Sequence, residues 1–147
     1  MRSLHPVLIA ASLSLSTVAL ANDGGMQATL FKNPSCGCCS AHADHLRASG
    51  IEVDVVETND LAAVKRQHGI AAPFEGCHTM LLDGYVIEGH VPAEDIQRLL
   101  EDGPDALGLA VPGMPMGSPG MEGAYADSYD VLLMKKDGTS EVFAQYR

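Results

Sequence analysis

The chain has 147 residues, of which 46% are hydrophobic and 5% aromatic, and it carries a formal net charge of −10 at pH 7. An excess of carboxylates argues against binding nucleic acid, whose phosphates are gripped by Lys and Arg. Residues 1–21 open with Arg2, continue in a short run of apolar and small residues, and end in Ala19-Leu20-Ala21, the form of a cleavable secretory signal peptide. Cleavage leaves about 126 residues from Asn22, enough for one domain with a real core, and removes Arg2, so the mature charge is about −11. No other apolar stretch nears the roughly 20 residues that cross a bilayer, so a soluble exported protein is expected. In the oxidising compartment it meets, four cysteines would by default make two structural disulfides.

In chain order, 27–32 reads as a strand and 39–49 as a helix ended by Gly50. The alternation of apolar and acidic residues over 51–55 predicts a half-buried strand, parallel to the first because a helix joins them. Asn59 or Asp60 then caps a helix that Gly69 closes. After a loop over 70–76, two apolar runs flank Asp83-Gly84, a strong hairpin signal. Pro92 opens a third helix with an acidic first turn and a buried stripe of Ile96, Leu99 and Leu100, stopped by Gly103-Pro104. The order βαβα-ββα is that of an α/β, thioredoxin-like domain. Residues 103–123, rich in Met, Pro and Gly, are expected to be neither helix nor strand, and a loop that long needs a purpose. A hairpin around Lys136-Asp137-Gly138-Thr139 fills 128–147. One domain over 22–147 is therefore predicted.

Three of the four cysteines fall within Cys36-Gly37-Cys38-Cys39, at the turn from the first strand into the first helix. The free N–H groups and partial positive charge of a helix N-terminus stabilise thiolates there. A dithiol redox site needs two sulfurs, so a third is better explained by metal. Thiolates prefer soft ions, and sulfurs that bridge several Cu(I) ions tolerate this crowding better than one tetrahedral zinc does. Cys77, followed by His78, is the fourth sulfur. Counted back from Asp83-Gly84, His78 stands where thioredoxin-like proteins place a proline facing their cysteines, which leaves room for an ion. Met114, Met116 and Met121 offer thioethers from a non-helical segment, where packing periodicity does not account for them; the alternative is an incidental tether. His42 and His45, three apart on the first helix, could share a face, and with His42 four residues past Cys38 either could reach the cysteines, but they read more naturally as surface residues; neither His68 nor His90 is expected to be a ligand.

These stretches, together with Gly84-Tyr85-Val86-Ile87-Glu88-Gly89-His90-Val91-Pro92 and the segment from Gly113 to Glu122, resemble in order the exported CopG-like family of copper-resistance proteins. The resemblance implies a thioredoxin-like fold whose Cys36, Cys38, Cys39 and Cys77 bind a small copper cluster, with a part in copper redox chemistry or transfer. His78, Met114 and Met116 are candidate further ligands. The expectation is a periplasmic protein holding several Cu(I) ions and exchanging them with other copper-handling proteins, with copper oxidoreductase activity as an extension of that reading. The alternative is a thiol–disulfide oxidoreductase in which Cys36 attacks and Cys39 resolves. A purely structural disulfide domain explains neither the third thiol nor the methionines.

Overall fold

A computed structural model describes residues 25–147; the predicted signal peptide lies outside the described residues. The elements are β1 (Met26–Lys32), α1 (Gly37–Ala48), β2 (Ile51–Glu57), α2 (Leu61–Gln67), β3 (His78–Leu82), β4 (Tyr85–Glu88), α3 (Ala93–Asp102), β5 (Gly108–Ala110), β6 (Tyr129–Met134) and β7 (Ser140–Tyr146). The strands form one seven-stranded sheet in the order β2-β1-β3-β4-β5-β6-β7. β1 and β2 pair in parallel, as the short helical crossover requires, and β1 and β3 pair antiparallel.

Residues of the inner strands alternate between two apolar layers, because successive side chains of a strand point to opposite faces. Ile87, Leu109, Val131 and Leu133 join the larger core with Ala43 and Leu46 of α1 and Ile96 and Leu99 of α3. Their neighbours Val86, Ala110 and Met134 join the smaller one with Ile70 and Phe74. Each fully buried Leu or Ile contributes about 1.5–3 kcal/mol.

Local chemistry sets the boundaries. Asp60 caps α2 by accepting from the Ala63 N–H at 3.0 Å. Asp83 and Gly84 both take positive φ, 48° and 82°, the tight two-residue turn that Asp-Gly favours. α3 starts after Pro92 and ends on Gly103 in the left-handed conformation.

One expectation is corrected. The segment 103–123 is not wholly irregular, because Gly108–Ala110 form β5, parallel to β4 and antiparallel to β6. Ladder hydrogen bonds come from the backbone, so small residues can fill the gap between two strands. Gly108 is required there, since a Cβ would collide with the Val86 carbonyl. Through β5 the C-terminal hairpin of β6 and β7 becomes part of the sheet. It is also fastened to α3: the Arg98 guanidinium lies 3.9 Å from the Phe143 ring centre, and the Tyr146 hydroxyl is 2.8 Å from Asp95 Oδ2. Among the described residues no helix is long and apolar enough to cross a membrane.

Candidate metal centre

The turn after β1 is built by its own side chains. Asn33 Oδ1 accepts from the Ser35 N–H at 3.1 Å and the Ser35 hydroxyl at 2.7 Å, and the Asn33 carbonyl accepts from the Cys36 N–H at 3.0 Å. Beneath it Lys32, 4% exposed, donates to the carbonyls of Asn33 and Pro34 and pairs with Glu57 at 3.2 Å. Cys36 occupies the N-cap of α1. Cys38 and the wholly buried Cys39 follow in the first turn.

The hairpin delivers Cys77 to this turn. Gly76 and Gly89 touch backbone to backbone: a Cβ on Gly76 would stand 2.6 Å from the Gly89 Cα. Glu88, fully buried, anchors the same corner. Its carboxylate accepts from the Gly76 N–H at 2.7 Å and the Thr79 hydroxyl at 2.7 Å and forms a buried ion pair with Lys65. Burial pushes the Glu88 carboxyl above its usual range, and hydrogen bonding and charge from Lys65 oppose the shift.

The four sulfurs of Cys36, Cys38, Cys39 and Cys77 all lie within 4.8 Å of one another. Cys36 and Cys39 are joined as a disulfide, while Cys38 and Cys77 are free. Cys38 Sγ is 3.5 Å from Cys36 Sγ, and Cys77 Sγ is 3.6 Å from Cys39 Sγ. Desolvation, with the neighbouring Cys38 adding to it, pushes the Cys77 thiol up to about 12. Without a cation Cys77 is therefore a neutral thiol, and metal binding there must release a proton.

Imidazoles flank Cys77. His90 Nε2 is 2.8 Å and His78 Nδ1 3.1 Å from its sulfur, so these three residues make a second group of potential ligands. His42 Nδ1 lies 2.8 Å from His78 Nε2, and His42 Nε2 lies 2.9 Å from the Val91 carbonyl oxygen. The three rings sit with centroids 4.9–5.2 Å apart, all fully buried.

Residues 111–127 close over the centre. Gly113 pairs with Gly76 in a parallel bridge, which sets Met114 beside Cys77 in register. Gly120 packs on α1 so tightly that a Cβ would lie 2.7 Å from the His42 nitrogen and 2.9 Å from the Cys38 oxygen. The Pro119 carbonyl accepts from His90 Nδ1 at 2.7 Å. Met116 and Asp127 exchange hydrogen bonds across the base of the loop, at 2.9 and 3.0 Å. The loop is thus a docked cover rather than a free tether.

The expected cysteines and His78 converge. Met114 is 54% exposed, and the Met116 methyl rests near Gly123. His42 corrects the reading as a surface residue: it belongs to the buried stripe Cys39, His42, Ala43, Leu46, whose spacing is that of one helix face. His90, not expected as a ligand, lies opposite Cys77. Hairpin register would have found it, since continuing Thr79↔Glu88 outward by two residues pairs Cys77 with His90.

Fold and site together define a mixed α/β protein with a cluster of four cysteines able to hold metal. The family described as "Protein of unknown function, DUF411" matches residues 74–121, which span Cys77, both flanking histidines and the loop methionines. The solved structure named "Copper resistance protein copG- Form 2" is 41% identical, covers 84% of this chain and 99% of its own, and superposes with a TM-score of 0.80. "Copper resistance protein copG- Form 1" is likewise 41% identical, covering 83% and 98%, with a TM-score of 0.79. No curated protein matches the chain. The chain belongs to the family of copper resistance protein copG.

Proposed function

We propose that the protein works in copper resistance in the periplasm, holding several Cu(I) ions through the thiolates of Cys36, Cys38, Cys39 and Cys77. The observation that carries this reading is the mutual approach of four sulfurs to within 4.8 Å at one helix terminus. Thiolates are the soft ligands Cu(I) prefers, and bridging sulfurs let a compact set hold more ions than it could hold singly. His78 borders the set, and Met114 and Met116 belong to a cover that can exchange copper with other periplasmic proteins. The fold is read as thioredoxin-like: the sheet order β2-β1-β3-β4 with α1 following the first strand supports it. The secretory leader over 1–21 supports the compartment.

The Cys36–Cys39 disulfide inside the cluster favours a redox extension. Two thiols giving two electrons to two Cu(II) ions would yield the disulfide, two Cu(I) ions and two protons. A thiol–disulfide oxidoreductase acting on protein substrates is the rival, and Cys38→Ser separates the two. Under the copper reading, the reduced variant retains severalfold less Cu(I) by elemental analysis although the Cys36–Cys39 disulfide still forms. Unchanged copper retention would move the protein to the oxidoreductases.

A further inference from the structure

Proton counting around Cys77 leaves a lone pair without a partner. The Val91 carbonyl can only accept, so His42 Nε2, 2.9 Å away, carries the proton. In a neutral ring His42 Nδ1 is then bare and accepts from the Nε2–H of His78 at 2.8 Å. That leaves His78 Nδ1 bare, facing Cys77 Sγ at 3.1 Å. The same logic runs from the loop. The Pro119 carbonyl takes the proton of His90 Nδ1 at 2.7 Å, so His90 Nε2 is bare where it faces Cys77 Sγ at 2.8 Å. Two bare imidazole nitrogens thus point at one sulfur that has a single proton to offer. All three rings are fully buried, and burial disfavours the charged imidazolium form. A buried nitrogen lone pair left without a donor is costly, and a cation satisfies two of them and the thiolate together.

We propose that Cys77, His78 and His90 form a site for a single Cu(I) ion that does not require Cys36 or Cys39, and is therefore available while their disulfide is closed. Only Cys77 is shared with the four-sulfur set, and it is not in the disulfide. His42 is a positioning residue: by accepting the His78 Nε2 proton it turns the other nitrogen toward Cys77. Pro119 does the same for His90, which couples the seating of the loop to the site. One thiolate and two imidazoles suit Cu(I), whereas zinc held by protein alone usually takes four ligands.

The inference rests on the copper reading, so the test has two arms. The purified protein, with its disulfide closed and two thiols counted in denaturant, is loaded anaerobically with Cu(I) against a competing Cu(I) chelator. A reduced sample is loaded in parallel. The closed form is expected to retain one Cu(I) per chain, with X-ray absorption showing nitrogen as well as sulfur neighbours. His90→Gln is expected to lose that ion, and His42→Phe to weaken it by about 10–100-fold, the usual effect of removing a partner that orients a ligand. His68→Gln, which removes an imidazole outside the cluster, is expected to leave it unchanged. Retention by the reduced sample alone, a sulfur-only spectrum from the closed form, or indifference to His90→Gln would overturn the site while leaving the four-sulfur reading in place. Failure of both samples to retain copper would sink both. The wild-type spectrum decides the matter even if a variant does not fold.

Discussion

Replacing Cys77 with serine is expected to reduce copper retention to near background in both the reduced and the disulfide-closed protein. Cys77 is the one residue common to the four-sulfur set and the Cys-His-His group. It is also the only one of the four sulfurs that comes from the hairpin rather than from the β1–α1 turn. A serine hydroxyl keeps the approximate size but is a hard, protonated ligand with little affinity for Cu(I). The fold should survive, because Cys77 is only partly buried and its backbone is held by Gly76, Gly89 and Glu88. Elemental analysis after gel filtration, with circular dichroism to verify folding, reads the result. A Cys77→Ser protein that keeps the wild-type copper content would show that the turn cysteines alone bind the metal.

Lys65→Met is expected to be the most damaging substitution for stability outside the apolar core. Lys65 is 5% exposed and Glu88 is fully buried, so removing the ammonium strands a carboxylate in the interior. Breaking such a pair from one side typically costs about 3–5 kcal/mol, which lowers a urea midpoint by about 2 M. The double variant Lys65→Met/Glu88→Gln should recover part of the loss, because a neutral amide can still accept from the Gly76 N–H. A single variant within 0.5 kcal/mol of wild type would contradict the role given to the pair. Its purpose in the fold is local. Glu88 ties the start of β3 to the end of β4, and that corner presents Cys77 and His90 to α1.

Much of this arrangement is legible in the sequence, and the reasons differ from element to element. Asp83-Gly84 announces its hairpin because only a tight turn wants two consecutive positive φ values. The cysteine turn announces itself by clustering. β5 escapes notice because Gly108–Ala110 carries little apolar pattern, and its place is decided by the open backbone groups of β4 and β6. His42 and His90 mislead for another reason: histidine is as often on a surface as inside, so identity says little. Helix spacing from Cys39 and hairpin register from Asp83-Gly84 are the features that place them. The docking of the methionine loop depends on Gly120 meeting α1 and on the Pro119 carbonyl meeting His90. Those contacts join segments far apart in the chain, and no local pattern encodes them.

The most direct test of the account is to load the reduced protein anaerobically with copper and, separately, with zinc, then measure the metal-to-protein ratio alongside accessible thiols. The expected result is more than one Cu(I) per chain, weaker retention of zinc, and protection of Cys36, Cys38, Cys39 and Cys77 from thiol reagents. A chain that keeps little copper, leaves its thiols reactive and merely cycles a Cys36–Cys39 disulfide would contradict it.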